Sequence, residues 1–408
     1  MLWHEANDGW NFQVGVTAGR LDPERLKQAF DAAMACHPLT RCCVEGEARF
    51  HWASDGHATI GPIAVVECAD DNAVQDVALT QLEQPIDLRR APLMRAVIAR
   101  TTDHDVLSTG FSHVLADGFG SLRFLRSVAR AYRGEPDPPP AADIAAAHAA
   151  LVDPRAADWS ALTRKWSTRL ELAADAATPR SRLAPSGGRA GAGAGAITRA
   201  IPAAPALEAS RRHAGSFGTY AMAALHVTVE DWNRAHGQAC EYVGVSQAVN
   251  LRPPEWWDDV VVSLAAMTSV LSRPGDRVDV ATAIARIGSH LEIEKQRARA
   301  RALVATSAAG RVVPFALRRQ ALAAAARQQF DTCMLSNLRS VPDPPRFSDD
   351  VQPVISVTTA AMPSLPVGLA MYTAFDELRF MVMYRRECFD EAGVNAFVDA
   401  YAERLSCG

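Results

Sequence analysis

The sequence lacks the features that mark membrane-spanning and secreted proteins. No apolar run reaches the ~18 residues that a membrane span requires. The start, MLWHEANDGW, has neither the cationic nor the apolar region of a signal peptide. We therefore expect no membrane span and a cytoplasmic location.

Cysteine pairs and an excess of one charge are missing as well. The eight cysteines are scattered without a CxxC pair, which favours a reduced chain and argues against a disulfide framework or a zinc site. The 42 basic and 46 acidic residues leave a net charge of only −4, so a general affinity for nucleic acid is excluded. We expect neither a metal nor nucleic acid to bind.

The chain is long enough and apolar enough to form more than one hydrophobic core. Its 408 residues are 49% hydrophobic, and domains commonly hold about 100–200 residues. Two stretches interrupt the pattern: GEPDPPPAAD (134–143), which is rich in proline, and PSGGRAGAGAGA (185–196), which is rich in glycine and alanine. We predict one lobe over 1–135, a helical connector with a Gly/Ala-rich loop over 136–196, and a second lobe over 197–408.

Strand and helix patterns alternate in both halves, which predicts an α+β chain of the α/β sandwich type. NFQVGVTA (11–18) alternates like a half-buried strand. The helix after it has Asp22 as its N-cap and Pro23 at its first position. TTDHD (101–105) predicts the turn of a hairpin. In the second half we predict four strands, YVGVSQAVNL (242–251), VQPVISVTTA (351–360), PVGLAMYTAF (366–375) and LRFMVMYR (378–385). FDEAGVNAFVDAYAERL (389–405) predicts a closing amphipathic helix with Val394, Phe397, Val398 and Tyr401 on its inward face.

The stretch FSHVLADGFGSL (111–122) carries the strongest candidate for chemistry. His113 lies where an apolar strand runs into a predicted helix, a position from which a side chain can reach a cleft. Gly118 allows the backbone to approach closely, and Asp117 is placed either to cap the helix or to hold an arginine. The HxxxDG pattern alone is weak, because a turn histidine beside a capping aspartate has the same spacing.

Four further segments occur in order around this motif. They are ACHPLTR (35–41), QPIDLRRAPLMRAVIAR (84–100), VNLRPPE (249–255) and LSNLRSVP (335–342). With HxxxDG they resemble the condensation-domain superfamily. That superfamily includes nonribosomal-peptide condensation domains, polyketide-associated acyltransferases, wax ester synthases and, more distantly, chloramphenicol acetyltransferase. The resemblance covers nearly the whole chain.

This resemblance implies two chloramphenicol-acetyltransferase-like lobes in one chain, arranged as a V around a tunnel with His113 near its middle. It also implies that Asp117 pairs with an arginine and thereby fixes the loop. Arg252 is the preferred partner and Arg41 is the second candidate. The alternative for Arg252 is an interlobe salt bridge without bearing on the chemistry.

The sequence departs from the family pattern in ways that affect its site. Ser112 stands where peptide-forming condensation domains have the first of two adjacent histidines, and Arg339 stands where their SNLGR motif has glycine, which predicts a differently shaped loop. Ser336 and Asn337 are expected to shape the tunnel wall, or else to cap a local turn. Since no adenylation or carrier segment is attached, we expect a free-standing enzyme that works as a monomer.

The implied chemistry is acyl transfer in secondary or lipid metabolism. A thioester is already electrophilic, and an imidazole, with an ordinary pKa near 6.5, can deprotonate the acceptor at neutral pH. His113 is therefore the expected general base, and the Gly118 amide is the nearest donor for the oxyanion. The donor is an acyl-CoA or a carrier-protein phosphopantetheine thioester, with no permanently bound cofactor. With an alcohol acceptor the product is an ester. One alternative is an amine acceptor, which gives an amide. The other is an inactive homologue that only docks a carrier protein.

A row of arginines follows the motif on one side of the predicted helix. The row consists of Arg123, Arg126, Arg130 and Arg133. It is placed either to meet the phosphates of coenzyme A or an acidic carrier protein, or to form an ordinary solvated helix face. If these arginines bind the donor, substitutions among them should weaken its binding.

Overall fold

The structure is a computed structural model that describes most of the chain. The described residues are 11–46, 50–139, 168, 170–187, 193–213, 216–253, 256, 259–309, 313, 314, 316–318, 320, 331–359 and 365–407. Helices and strands alternate through both halves, which confirms the predicted mixed fold class.

Strands and helices are numbered here in chain order. The strands are β1 (Asn11–Ala18), β2 (Cys42–Glu45), β3 (His51–Ser54), β4 (Ala64–Glu67), β5 (Met94–Arg100), β6 (Asp105–Ser112), β7 (Ala194–Pro202), β8 (Val243–Asn250), β9 (Ala265–Ser272), β10 (Cys333–Ser340), β11 (Ile355–Thr359), β12 (Val367–Ala374) and β13 (Glu377–Arg385). The helices are α1 (Pro23–Cys36), α2 (Asp71–Glu83), α3 (Gly118–Arg133), α4 (Ala203–His213), α5 (Phe217–Ala235), α6 (Val280–Ile287), α7 (Ile293–Ala309) and α8 (Glu391–Cys407).

The first sheet has five strands in the order β11-β1-β6-β5-β4. Its pairs are antiparallel except for β4 with β5. The predicted hairpin is present, with β5 and β6 joined at Arg100 and Asp105. Helix α1 starts as predicted, because the Asp22 carboxylate accepts a hydrogen bond from the Arg25 amide and Pro23 occupies the first turn. Its buried face, with Leu26 and Phe30, joins the core under this sheet.

The second sheet has six strands in the order β7-β13-β12-β10-β8-β9. Strand β10 runs parallel to both of its neighbours, β8 and β12. Helices α5 and α8 belong to the core beside this sheet. The predicted inward face of α8 is confirmed, since Val394, Phe397, Val398 and Tyr401 are fully buried. The Tyr401 hydroxyl donates to the Ala221 carbonyl of α5.

The two sheets are tied together by chain that crosses between them. Strand β11 lies in the second half of the sequence but pairs with β1 in the first sheet. The Tyr372 hydroxyl on β12 accepts a hydrogen bond from the Ile355 amide at 3.0 Å and donates to its carbonyl at 2.9 Å. The chain after β8 also leaves the second sheet, since Val260, Val261 and Val262 pack into the first core. The chain therefore does not divide cleanly at residue 197.

The connector predicted over 136–196 is only partly described. Residues 140–167 and 188–192 lie outside the described residues, and residues 170–177 are helical. The predicted loop ends earlier than expected, because strand β7 already begins at Ala194. Gly195 sits opposite Tyr384, and a Cβ on Gly195 would lie 2.3 Å from that ring. Gly195 thus makes room for the Tyr384 ring. The Gly/Ala-rich composition of the stretch alone does not indicate this packing role.

Neither prediction holds for the first two arginines of the row on α3, whereas Arg130 and Arg133 have side chains that are 29% and 26% exposed and for them both predictions remain predictions. Arg123 and Arg126 are only 2% and 8% exposed, so this part of the row is not a solvated face. The Arg123 guanidinium donates to the Asp137 carboxylate and to the Pro138 carbonyl. The Arg126 guanidinium donates to the Asp343 carbonyl at 2.5 Å. Arg123 therefore holds the start of the connector in place, and Arg126 holds the segment that leads to β11.

Candidate active site

His113 lies in the turn between β6 and α3, as the sequence predicts. The Ser112 carbonyl accepts hydrogen bonds from the amides of Leu115 and Ala116, at 2.9 and 3.2 Å, which closes the turn. The His113 ring lies 4.3 Å, centroid to centroid, from the ring of Phe12 on β1. A buried strand and a hydrogen-bonded turn therefore set the position of this histidine.

Asp117 fills both roles that the sequence left open. One carboxylate oxygen accepts from the Gly120 amide at 3.0 Å and so caps α3. The other accepts from the Arg252 guanidinium at 2.6 Å and from the Leu264 amide at 2.8 Å. Asp117 is 4% exposed and Arg252 is fully buried. The carboxylate thus joins the start of α3 to chain that arrives from the second sheet.

Arg252 is held in place by its own neighbours. The Asn250 side-chain oxygen accepts from the Arg252 amide at 3.0 Å. The Arg252 guanidinium also donates to the Val262 carbonyl. Buried ion pairs of this kind contribute fixed geometry more than net stability. Here they fix the loop between Asn250 and Leu264 against the turn that carries His113.

Gly120 is a site residue that sequence reasoning missed. A Cβ at this position would lie 2.8 Å from the Val262 carbonyl oxygen and 3.2 Å from the Arg252 guanidinium. The helix and the loop can approach this closely only because Gly120 has no side chain. The available signal was the second glycine of the DGFG run, two residues after Gly118.

A cavity of about 830 Å³ opens in front of this turn. Its wall includes His113, Asp117 and Gly118 from the first half of the chain. Ser336 and Asn337, predicted wall residues, also line it. Ligand pockets commonly measure about 300–1,000 Å³. The volume is therefore sufficient for a substrate considerably larger than an acetyl group.

Three candidate residues, Arg252, Arg41 and Ser112, are not part of this cavity wall. Arg41 donates to the carbonyls of Asp31 and Gly56, each at 3.2 Å, so it is not the partner of Asp117. Ser112 is fully buried, and its hydroxyl accepts from the Val114 amide at 3.3 Å. Ser112 supports the turn from within.

The loop around Arg339 differs from the expectation. Arg339 has a φ of 61°, in the left-handed region that favours glycine. The Asn337 side chain supports this conformation by accepting from the Arg339 amide at 2.7 Å. The position thus keeps the backbone conformation that suits the glycine of the family motif. Burial, and then the charge of Arg297, lower the pKa of the Arg339 guanidinium on the cavity wall.

Two other kinds of feature are absent from the described part of the chain. No group of three or more histidine, cysteine or acidic side chains is arranged to hold a metal ion among these residues. None of the described helices is both long and apolar enough to cross a membrane.

Comparisons with known proteins identify the family of the chain. The family model "Condensation domain" matches residues 2–173. The uncharacterized proteins Rv2305 and MT2362 of Mycobacterium tuberculosis are 30% identical to the chain over 415 residues, covering 95% of this chain and 92% of theirs. The chain belongs to the condensation-domain family.

Solved structures share the fold at low sequence identity. The first condensation domain of the CDA synthetase aligns with a TM-score of 0.70 at 16% identity, over 100% of this chain and 94% of that one. The epimerization domain from the third module of tyrocidine synthetase B aligns with a TM-score of 0.69 at 16% identity, over 97% and 90%. These likenesses establish the fold.

Proposed function

We propose that the protein is an acyltransferase that moves an acyl group from a coenzyme A or carrier-protein thioester to a hydroxyl acceptor. The observation that carries this proposal is the place of His113. It lies on the wall of a cavity of about 830 Å³, in a turn anchored by the buried Asp117–Arg252 pair. Condensation domains as a family are acyltransferase-like, which supports the reaction class.

In the proposed reaction His113 takes the proton of the acceptor hydroxyl as its oxygen attacks the thioester carbonyl. The C–O bond forms and the C–S bond breaks, and the leaving thiolate receives the proton from the imidazolium. Gly118 is the first residue of α3, so its amide has no partner within the helix. We assign it the role of oxyanion donor. Asp117 and Arg252 position the turn without touching the reacting atoms.

The proposal needs no permanently bound cofactor and no acyl-enzyme. The donor brings the activated acyl group on coenzyme A or on phosphopantetheine, and the cavity aligns it with the acceptor. Bringing two substrates together in one site contributes to rate independently of the base. We propose that one chain, working as a monomer in the cytoplasm, is sufficient.

The test is product analysis with a His113→Ala variant. Purified protein is incubated with a panel of thioester donors and with alcohol and amine acceptors, and the products are identified by mass spectrometry. We expect esters from the wild type and a loss of about 10²–10⁴ in kcat for His113→Ala. The matched control is His57→Ala, because His57 lies exposed in a turn away from the cavity.

Each other outcome has a defined meaning. Amide products alone would replace the hydroxyl acceptor by an amine. Near-normal turnover by His113→Ala would reject the base mechanism. No transfer with any donor would contradict the enzyme assignment and favour a homologue that only docks a carrier protein.

A further inference from the structure

The cavity reaches both faces of the second sheet. Side chains of successive residues in a strand point to opposite faces. The cavity wall nevertheless includes successive residues of two strands, namely Gln247, Ala248, Val249 and Asn250 of β8 and, before the register shift of β10, Met334, Leu335, Ser336 and Asn337. A cavity on only one side of the sheet would be lined by alternate residues. The cavity therefore passes through the sheet.

The passage lies where β8 and β10 separate. Their parallel ladder runs from Cys333 opposite Val245 to Leu335 opposite Gln247, and the described pairing ends there. Beyond it, β8 continues to pair with β9 and β10 with β12. The gap between residues 248–250 and 336–338 is here called the slot.

The space behind the slot is predominantly apolar. We call it the rear arm; the apolar residues that line it are Leu207, Phe217, Met222, Val249, Leu291, Leu335 and Leu378. Four polar residues, Ser216, Thr219, Glu292 and Gln296, belong to the same part of the wall. Gln296 is already engaged, because its oxygen accepts from Thr268 at 2.6 Å and its amide donates to the His290 carbonyl. The lining thus favours an apolar occupant.

The front of the slot is lined by small and flexible side chains. Gly368 and Ala370 of β12 lie opposite Met383 and Met381 of β13. Met334 of β10 also lies beside Gly368, and a Cβ on Gly368 would be 3.1 Å from the Met334 methyl carbon. Methionine adapts its shape to an apolar neighbour more readily than branched residues do. The small residues therefore leave space between the front of the sheet and the rear arm, and the methionine side chains can adjust to an occupant.

From this geometry we infer that the slot and the rear arm hold the aliphatic chain of the donor acyl group. The inference rests on the proposed function and names its substrate class, a medium-chain or long-chain linear acyl thioester. A gap between two strands admits an unbranched chain more readily than a ring or a branched group. The thioester carbon stays in front of the sheet, in the part of the cavity that His113 lines.

Helix α5 offers a residue with which to block the arm. Gly218 and Met222 are four residues apart, so they lie on the same face of α5, and both line the cavity. The atoms nearest to a Cβ on Gly218 would be Asn337 Nδ2 at 3.7 Å and Ser216 Oγ at 3.9 Å. A larger side chain at 218 thus has room to enter the arm without a backbone clash.

The experiment measures kcat/KM for acyl-CoA donors of two to sixteen carbons with a fixed small alcohol. In the wild type we expect a rise of about fourfold per methylene that the arm buries. Gly218→Leu should lower the ratio of kcat/KM for dodecanoyl-CoA to that for acetyl-CoA by about tenfold or more. The matched control is Gly275→Leu, since Gly275 faces open space and does not line the cavity.

A second variant and a binding measurement keep the inference testable if Gly218→Leu folds poorly. Met222→Ala should lengthen the arm and shift the preference toward longer donors. Calorimetric titration with S-dodecyl-CoA and S-butyl-CoA, which transfer no acyl group, should show tighter binding of the dodecyl thioether in the wild type and a loss of that difference in Gly218→Leu.

The outcomes separate this inference from the proposed function. Tight dodecyl binding without any transfer would reject the function and keep the arm. Acyl transfer with no chain-length dependence would keep the function and overturn the arm. An equal loss with acetyl and dodecanoyl donors in Gly218→Leu would place the pantetheine in the arm instead. A dependence that follows n-alcohol acceptors rather than donors would assign the chain to the acceptor, and it too overturns the inference.

Discussion

At the scale of single residues, the site depends on one carboxylate that serves three donors. Asp117 accepts from Gly120, Leu264 and Arg252, so its bonds join the first turn of α3 to the loop that follows β8. The sequence predicted both a cap and an arginine partner for this residue. The third donor, the Leu264 amide, could not be predicted, because backbone donors carry no sequence signal.

We predict that Asp117→Asn and Arg252→Ala each destabilise the protein by about 1–3 kcal/mol and lower the rate. Either change leaves a buried polar group without its charged partner. The double variant should cost less than the sum of the two. Urea unfolding and steady-state kinetics on the four proteins of this cycle measure the coupling.

Arg41→Ala provides the comparison for that cycle. Its guanidinium bonds only to carbonyl groups of Asp31 and Gly56. We therefore expect its effect on stability to add to that of Asp117→Asn without coupling. Additive losses for Asp117 and Arg252 would contradict the pairing seen in the structure.

Buried histidines outside the site make a pH prediction possible. Burial, and then the charge of Arg123, lower the pKa of His37 to about 4, although Asp137 opposes this. An unfolded histidine titrates near 6.5. Between these values the unfolded chain binds the additional proton, so stability is lost as the pH falls from about 6.5 toward 4. The contribution is about 3 kcal/mol.

Unfolding by urea at several pH values measures this dependence. His37→Gln should flatten the profile over that range. His226 lies in the second core, where burial lowers its pKa to about 3, so a residual slope should remain in His37→Gln. A wild-type profile that is flat between pH 6.5 and 4.5 would contradict the prediction.

At the scale of secondary-structure elements, α3 shows the limit of reading a helix from its spacing alone. The 3.6-residue period placed its four arginines on one side correctly, but it could not show what covers that side. The connector residue Asp137 and the loop residue Asp343 lie there. Covered arginines stabilise the fold, whereas exposed ones are available to a partner.

We predict that Arg123→Ala lowers the unfolding free energy by about 3 kcal/mol, because it removes a buried partner of Asp137. Arg133→Ala is the matched control on the same helix. Its partners Glu135 and Asp349 are 44% and 88% exposed, so the expected loss is about 0–1 kcal/mol. Thermal unfolding measures both. Equal and small losses of unfolding free energy in the two variants would contradict the prediction and indicate that Arg123 behaves as a surface residue.

Strands were predictable where their pattern alternates, and β1, β12 and β13 are examples. Strand β9 was missed, since AAMTSVLS mixes small and polar residues without a clear period. Strand β11 was found, but its partner was not. Pairing depends on the topology of the whole chain, and no local pattern indicates that residues 355–359 belong to the first sheet.

At the scale of the whole molecule, the crossing segments unite the two cores. We predict one cooperative thermal transition, with calorimetric and van't Hoff enthalpies in agreement. Tyr372→Phe removes both hydrogen bonds that join β12 to Ile355, at an expected cost of about 1–3 kcal/mol. Differential scanning calorimetry tests both statements. Two resolved transitions in the wild type would contradict the first.

The pairing of β11 with β1 also has a consequence for the chain during its synthesis. Strand β1 (Asn11–Ala18) leaves the ribosome long before its partner β11 (Ile355–Thr359) has been made. Until then one edge of β1 has no strand beside it, and an unpaired edge is a template for association with other chains. From the emergence of β1 until residues 355–359 emerge, the nascent chain therefore exposes a strand edge at which other chains can associate.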